Sequence, residues 1–439
     1  MFDRIFVPAP FRDALSDEAW LQAMLDAERA LAAAQARAAL IPGDAARAIA
    51  EACRAERFDA AAIGDDGRSA GNPVEPLVRA LTEAVEGEAA GYVHWGATSQ
   101  DILDTAAMLI SRRVLHLILE TLDSVATECA RLADAHRSTP MAARTLLQQA
   151  VPTTFGLKAA GWLVAVVEAR RALARVRDER LAVQLGGAAG TLSVLGEAGP
   201  EVVRLLAAEL ALKEPVAPWH TNRVRIAELG SALAIASGAV AKIALDVGLM
   251  SQTEVGEVAE AGAGASSTMP QKRNPVGSAL AIACARQAYA QATILTAALP
   301  QEHERALGAW HAEWPALSGA LAFGGGAADA ARRALAGMEV DVGRMRANLD
   351  LSGGLVMAER ASFLLAEELG RREARELVER AAERSMESGR SLRDELGDDD
   401  RVDGVDLEVG LDPMSYLGSA GAFVDRALEY YRDELGDRA

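Results

Sequence analysis

The stretch LGSALAIASGAVAKIALDVGLM, residues 229–250, decides the fold class. Apolar side chains recur along it at alternating spacings of four and three residues, with small residues at most other positions. This spacing places the recurring side chains in one stripe along a helix, as in long helices that pack nearly parallel or antiparallel. The stripe consists of Leu229, Leu233, Ala236, Val240, Ile243, Val247 and Met250.

A second segment has the same spacing, and the chain as a whole is poor in strand-forming residues. Aromatic residues make up only 4% of it, and alanine, leucine, glutamate and arginine dominate the long segments. We therefore predict an all-α fold with a central bundle of long helices. The other helix faces are also apolar, for example at Ala232, Ala234 and Ala239, which indicates packing against further helices, including those of another subunit. The second stripe consists of Leu115, Ile118, Leu122, Val125, Cys129 and Leu132.

Composition excludes several classes of function. The net charge of −18 over 439 residues argues against binding to nucleic acid or to an anionic membrane. The first residues, MFDRIFVPAPFRD, do not resemble a signal peptide, and no window holds eighteen uninterrupted apolar residues, so we expect a cytoplasmic protein. Cys53, Cys129 and Cys284 lie far apart in apolar context and predict small core residues rather than disulfides or a zinc site. No histidine pair has metal-ligand spacing, and we expect no metal.

Breaks in the helical pattern suggest three domains, at 1–105, 106–350 and 351–439, with edges uncertain by about ten residues. The glycine- and aspartate-rich stretch IGDDGRSAGNP, from Ile63 to Pro73, predicts a loop. Gly353 and Gly354 predict the second break.

Three stretches interrupt the helices and carry polar residues far apart in sequence. They read HWGATSQDILDTA (94–106), ARTLLQQAVPTTFGLK (143–158) and GASSTMPQKRNP (264–275). Each has an ordinary structural explanation: Ser99 or Asn274 could cap a helix, and Lys272 could be a solvated surface charge. The functional alternative is that Lys272 and the backbone donors of the following helix bind a carboxylate. The third stretch is not a Walker phosphate loop, because it lacks the Gly-Lys-Ser/Thr ending.

The three stretches together resemble the conserved regions of the fumarase/aspartase superfamily. SSTMPQKRNP is similar to the signature loop GSSxMPxKxNP, with Ala265 where the family usually has glycine. HWGATSQDILDTA is similar to HxGxTSxDxxDTA, and TLLQQAVPTTFG resembles the remaining region. This resemblance covers nearly the whole chain and implies an all-α homotetramer. Its active sites would be assembled from three subunits, with a small-molecule substrate and no cofactor.

The resemblance also implies roles for individual residues. Ser266 would exchange the proton on the carbon next to a substrate carboxylate, while Lys272 and Asn274 hold that carboxylate. Thr98 and Ser99 would bind a carboxylate from the other side. A multiply charged anion needs donors on several sides, so we expect further substrate contacts. The candidates for these contacts are His94, Gln149, Arg223 and Arg305.

One departure from the superfamily pattern bears on the reaction. Where relatives have Thr-His, this chain has Thr145-Leu146, and leucine cannot transfer a proton. An amine or alkoxide leaves poorly without a general acid, whereas a carboxylate, whose conjugate acid has a pKa of about 4, needs none. The stretches QLGGAAGTL (184–192) and YLGSAGAFVDRAL (416–428) resemble the branch of 3-carboxy-cis,cis-muconate cycloisomerases.

That branch implies lactonisation of a tricarboxylate in protocatechuate breakdown. Three alternatives stay open at this point. One is a β-eliminase with another weakly basic leaving group, such as nitrite from nitrosuccinate. The second is an adenylosuccinate lyase-like activity, and the third is a structural protein of the crystallin kind.

Overall fold

A computed structural model describes residues 1–261, 264, 265, 269 and 272–436. The prediction of an all-α fold is confirmed, because helices dominate the described chain and its few strands form two-stranded ladders.

The helices are numbered in chain order. The first nine are α1 (Asp3–Phe6), α2 (Ala9–Ala14), α3 (Asp17–Arg37), α4 (Gly43–Ala52), α5 (Ala60–Ala70), α6 (Val74–Ala84), α7 (Ser99–Ala135), α8 (Phe155–Glu179) and α9 (Gly199–Leu210). The next are α10 (Val224–Met250), α11 (Val276–Ala297), α12 (Ala309–Leu335), α13 (Val342–Asp350), α14 (Ala358–Leu369), α15 (Arg371–Ser388), α16 (Leu392–Gly397), α17 (Leu407–Gly410) and α18 (Ala420–Leu435).

The strands form three antiparallel ladders, β1 with β2, β3 with β6 and β4 with β5. Their bounds are β1 (Pro140–Thr145), β2 (Gln148–Thr154), β3 (Val258–Ala259), β4 (Gly264–Ala265), β5 (Arg273–Asn274) and β6 (Glu339–Val340).

Both predicted apolar stripes are buried along their whole length, on α7 and α10. Every predicted member of the two stripes is at most 4% exposed, including Cys129 on α7 and Met250 on α10. Helix α10 is long and apolar enough to cross a bilayer by composition alone, but burial of its stripe accounts for this composition within the protein. Cys53 and Cys284 are buried as well, as predicted.

The chain divides into two compact units, each built from three separate segments. Unit 1 consists of residues 1–122, 169–241 and 280–330, and unit 2 of 123–168, 242–279 and 331–439. The predicted division into three consecutive domains stays a prediction, and its boundary at residue 105 falls within α7.

Unit 1 is held together by close approach of its long helices. Gly230 on α10 lies where an added Cβ would meet the Leu295 side chain of α11 at 2.8 Å, so the two helices approach closely there. Gly324 on α12 faces Leu233 in the same way, at 3.3 Å. Glycine at these positions thus leaves room for a leucine side chain of the neighbouring helix.

Unit 2 contains a smaller apolar core and the β1–β2 hairpin. The core forms where α14, α15 and α16 pack together through side chains such as Leu365, Leu377 and Leu396. Met357 and Leu349 pack against Ala142 of β1 and so attach the hairpin to this unit. As predicted, the chain turns at Gly353 and Gly354, which both have positive φ angles, of 61° and 85°.

The predicted loop from Ile63 to Pro73 is wrong over most of its length. Residues 60–70 form α5, which begins because the Asp59 carboxylate accepts hydrogen bonds from Ala61 N and Ala62 N. It ends at Gly71, whose φ of 74° gives the left-handed cap that glycine favours. The glycine-rich composition misled the prediction because strong capping at both ends stabilises this short helix.

Candidate active site

The first polar stretch forms a tight turn that leads into α7. His94 and Gly96 both have positive φ angles, of 57° and 73°. A histidine in this region is uncommon and must be held by its surroundings. Its Nδ1 lies 2.5 Å from Oε1 of Glu28, which is 1% exposed in α3. Burial lowers the pKa of His94, but the charge and hydrogen bond of Glu28, with a smaller effect of Asp101, raise it above the ordinary value.

Asp101, in the first turn of α7, organises the start of this helix. Its fully buried carboxylate accepts a hydrogen bond from Thr98 N, at 3.0 Å, and thereby caps the helix. It also accepts bonds from Gly186 N at 3.0 Å and Gly187 N at 2.9 Å, and lies 2.6 Å from Nε2 of His220. Because α7 begins at Ser99, these bonds fix the backbone that carries both predicted hydroxyl groups.

Arg305 joins this group of residues from the segment that precedes α12. Its Nη1 donates to Gln100 Oε1 at 3.1 Å, and its Nη2 donates to Gly187 O at 2.6 Å and Ala188 O at 3.1 Å. Burial lowers the pKa of Arg305, and the carboxylates of Asp101 and Asp104 partly offset this. Arg305 therefore supplies positive charge to the neighbourhood of the α7 start while being bound mainly by carbonyl oxygens.

Arg223 has a different environment from the one predicted. It is 1% exposed, and its guanidinium forks between two buried carboxylates. Nη1 and Nη2 donate to Asp104 at 2.7 and 2.9 Å, while Nη2 and Nε donate to Glu313 at 2.6 and 3.1 Å. Every guanidinium nitrogen thus has a carboxylate partner. This geometry is that of a structural ion pair, and the substrate contact of Arg223 stays a prediction.

Unit 1 therefore brings five predicted residues into one connected region. Hydrogen bonds lead from the α7 start through Asp101, Gly187 and Arg305 to Gln100, and from Gln100 to Asp104 at 3.2 Å. The predicted residues in this region are His94, Thr98, Ser99, Arg223 and Arg305.

The second polar stretch forms the β1–β2 hairpin of unit 2. Thr145 pairs with Gln148, which leaves Leu146 and Leu147 as the two residues of the turn. Both have positive φ angles, of 51° and 67°, a conformation that Asn-Gly usually supplies. Leu146 is 97% exposed and Leu147 74%. Two strained, exposed leucines therefore form this turn, and Leu146 is the residue that the sequence resemblance aligns with the histidine of fumarase-like lyases.

Gln149 follows this turn, and its side-chain amide is hydrogen-bonded within the protein. Its Nε2 donates to Asn348 O at 2.8 Å, and Asn348 in turn donates to Glu257 Oε1 at 2.8 Å. Arg144, which pairs with Gln149 across the hairpin, forks onto Glu257 at 2.6 and 2.8 Å. The buried Glu257 carboxylate thus fixes the part of the hairpin next to its turn.

The third polar stretch is described only in part. Ser266 lies outside the described residues. Lys272 is exposed, and its backbone N–H donates to Met269 O at 3.0 Å. Asn274 belongs to β5 and pairs with Gly264, so it lies before the cap position of α11.

The functional alternative for this stretch placed a substrate carboxylate on Lys272 and the backbone donors at the start of α11. Glu260 already occupies two of these donors. Its carboxylate accepts from Gly277 N and Ser278 N, both at 2.8 Å, and it is 5% exposed. The helix N-terminus therefore binds an internal anion.

The structure also adds residues that the sequence did not single out, above all Glu28 and His220. Glu28 had a recognisable signal, because it and Gln35 lie seven residues apart on a face of α3 that is otherwise apolar. Both are buried, and both bind the His94–Trp95 turn. His220 had no such signal, since only the fold brings it to Asp101.

Comparisons with known proteins identify the family of this chain. The family model described as Lyase matches residues 7–289, and one described as Adenylosuccinate lyase C-terminus matches 354–427. A 3-carboxy-cis,cis-muconate cycloisomerase of Pseudomonas aeruginosa is 47% identical, covering 98% of this chain and 95% of its own. A nitrosuccinate lyase of Streptomyces davaonensis is 48% identical, covering 95% and 92%. The crystal structure of 3-carboxy-cis,cis-muconate lactonizing enzyme from Pseudomonas putida superposes with a TM-score of 0.94 at 43% identity, over 99% of each chain.

Proposed function

This chain belongs to the lyase family of the fumarase/aspartase superfamily, and we propose that it is a cycloisomerase that converts 3-carboxy-cis,cis-muconate to 4-carboxymuconolactone. Full-length similarity to cycloisomerases from several bacteria supports this assignment. The substrate is a small tricarboxylate, and the reaction belongs to protocatechuate breakdown in the cytoplasm.

The proposed reaction joins atoms that are already within the substrate. A carboxylate oxygen forms a C–O bond to one alkene carbon, and the π electron pair moves to the neighbouring carbon. Because that carbon carries another carboxylate, the charge is delocalised as an aci-carboxylate. A proton then adds to this carbon and completes the lactone. Substrate and product are isomers, so the reaction consumes no other reactant.

The observation that carries this proposal is Leu146 at the hairpin turn. A leucine in place of a proton donor suits a reaction whose attacking or leaving group is a weak base. The carboxylate of the substrate is such a group, since it is an anion at neutral pH before it attacks. Nitrite is another, which is why nitrosuccinate elimination is the second candidate, supported by the similarity to the lyase of Streptomyces davaonensis.

Residue roles follow from the sequence resemblance and the observed surroundings. Ser266 is the proposed proton donor, with Lys272 and Asn274 at the carboxylate next to the protonated carbon. Thr98, Ser99 and His94, at the start of α7, would bind a second carboxylate, and Arg305 and Gln149 would line the site. We leave Arg223 out of the contact set, because all its nitrogens already donate to Asp104 and Glu313.

We further propose a homotetramer whose sites are shared between subunits. The turn residues Leu146 and Leu147 support it, since a strained apolar turn gains most when a second copy of the chain covers it. Ile235, Leu245 and Ile294 on the long helices are exposed as well, at 59%, 51% and 41%. Such apolar side chains on α10 and α11 are typical of helices that pack against another subunit.

The experiment is to mix the purified protein with 3-carboxy-cis,cis-muconate and follow the loss of dienoate absorbance, identifying the lactone by NMR. We expect complete conversion by the wild type. Ser266→Ala should lower kcat by roughly a hundredfold to ten-thousandfold, the range for loss of a proton-transferring group. Release of nitrite from nitrosuccinate without loss of the dienoate would favour the second candidate. Brisk turnover of adenylosuccinate, argininosuccinate or malate in place of the triacid would contradict the assignment.

Leu146→Ala provides the matched comparison. Because Leu146 transfers no proton, its truncation should change kcat by less than about tenfold, well below the loss for a general acid. A loss as large as that of Ser266→Ala would mean that the turn takes part in the chemistry.

A further inference from the structure

We infer that Glu28 is a positioning residue that holds His94 as an imidazolium, ready to bind a substrate carboxylate. This inference rests on the proposed function and adds to it a residue 66 positions away in sequence from the histidine that it serves. The contact itself is short, at 2.5 Å between Glu28 Oε1 and His94 Nδ1.

The placement of Glu28 is unusual for a carboxylate. It lies on the core-facing side of α3, is 1% exposed, and has the buried Leu25 and Leu31 nearby in sequence on the same helix. A buried carboxylate is costly unless a charged or hydrogen-bonded partner compensates it. His94 is the partner that the structure gives it. A core packing role alone would be filled better by leucine, as at positions 25 and 31, three residues away on either side.

A second contact shows that α3 fixes the whole turn and not the imidazole alone. One face of the helix carries Gln35 seven residues after Glu28, and Gln35 Nε2 donates to Trp95 O at 2.6 Å. Glu28 and Gln35 therefore hold two consecutive residues of a turn in which His94 has a φ of 57°. Strain of this kind persists where neighbouring contacts over-determine the backbone.

The imidazole retains an outer edge for a ligand. Glu28 occupies Nδ1, and the His94 side chain is still 17% exposed. Nε2 is thus the nitrogen left to meet a substrate. In an imidazolium both nitrogens donate, so a proton shared with Glu28 leaves Nε2–H as a charged donor. His94 itself lies in the turn that leads directly to Thr98 and Ser99.

The surroundings of His94 act on its protonation in both directions. Glu28 on α3 and Asp101 on α7 favour the imidazolium, whereas burial opposes it. Arg305 binds Gly187 O, and the Gly187 backbone packs against Gly96 of the turn. The His220 imidazole contacts the Asp101 carboxylate and so places another titratable ring near this turn. The balance raises the pKa of His94 above its usual 6.5.

The raised pKa has a defined consequence for stability. A histidine whose pKa is higher in the folded state binds a proton more tightly when folded. Its contribution is therefore complete below about pH 6.5, the value in unfolded chains, and is lost as the pH rises through the folded pKa. Substrate affinity should follow the same course, because a neutral imidazole binds a carboxylate less strongly.

The test is NMR titration of the protein labelled with carbon-13 at the Cε1 positions of its histidines, with His94→Gln to assign the signal. We expect the wild-type signal of His94 to titrate above 6.5. In Glu28→Gln, which keeps an acceptor but removes the charge, it should titrate at least about one unit lower, equal to a tenfold change in proton affinity. Glu28→Asp keeps the charge and should restore part of the shift.

Asp26→Asn is the matched control, since this carboxylate lies on the same helix but binds Gln22 and Arg113. It should leave the His94 titration unchanged. A wild-type His94 that titrates below 6.5, or a titration that Glu28→Gln does not move, would overturn the inference. The wild-type measurement stands even if Glu28→Gln fails to fold.

The kinetic readout separates positioning from mere stability. In Glu28→Gln the KM for the triacid should rise at pH 8 relative to the wild type, and this difference should shrink towards pH 6 as His94 becomes protonated in both. A fold defect alone would lower the active fraction without this dependence of KM on pH. If the triacid is not the substrate, the NMR result still decides the role of Glu28, so the two proposals fail independently.

Discussion

At the scale of single residues, the buried Arg223 shows how a sequence motif can hide a structural role. Its two carboxylate partners are Asp104 on α7 and Glu313 on α12, and the Arg223 guanidinium neutralises both. Burial raises the pKa of Glu313, with Arg223 opposing it, so this carboxylate depends on the guanidinium for its charge. The sequence analysis selected Arg223 for its charge and its motif, whereas the structure places its guanidinium in the protein interior.

We predict that Arg223→Met destabilises the protein by about 3–5 kcal/mol, because it leaves two buried carboxylates without their cation. Arg223→Lys should recover only part of this loss, since an ammonium group cannot fork between two carboxylates. Urea denaturation of the purified variants measures the difference. Arg204→Met, which breaks an exposed pair with Glu201, is the control and should leave the midpoint unchanged. An equal effect of the two methionine variants would contradict the structural role.

At the scale of elements, the β1–β2 hairpin has a turn that suits its function better than its own stability. Leu146 and Leu147 occupy left-handed positions and expose their side chains. Asn-Gly would relieve the backbone strain, which costs on the order of 1–3 kcal/mol at each such residue. The leucines therefore need another reason to be there, and contact with a second subunit of the proposed homotetramer would supply it.

The double variant Leu146→Asn, Leu147→Gly tests this reason. We expect the isolated fold to be at least as stable as the wild type, while the assembly dissociates at higher protein concentration and kcat/KM falls. Analytical ultracentrifugation and the dienoate assay measure both effects. The single variant Leu146→Ala keeps most of the backbone strain. Its association and its kcat/KM should lie between those of the wild type and the double variant. Unchanged association of the double variant would show that the turn is not part of an interface.

At the scale of the whole molecule, the sequence predicts features that repeat along the chain, such as apolar stripes. It does not predict contacts between residues that only the fold brings together. The stripes on α7 and α10 were predictable because each buried residue repeats a local spacing. The helix from Ala60 to Ala70 was not, since its stability depends on caps at Asp59 and Gly71 rather than on composition. Glu260 and Glu28 act on segments 17 and 66 residues away. The pattern of α3 marks Glu28 as unusual, but no local pattern identifies the distant partner of either carboxylate.

The last prediction concerns the origin of the active site from different copies of the chain. His94 lies in unit 1 and Ser266 lies outside the described residues, and we propose that each site takes the two from different subunits. Two inactive variants, His94→Gln and Ser266→Ala, should then complement each other when they are mixed, dissociated and reassembled.

With random mixing, roughly a quarter of the sites receive both native residues, so activity should recover to about that fraction of the wild type. Each variant reassembled alone is the control, and both must stay inactive. Recovery requires that the two residues come from separate chains, because a single chain that supplied both would carry one of the substitutions into every site. Mixtures that reassemble to the wild-type size and yet stay inactive would place His94 and Ser266 of each site on the same subunit.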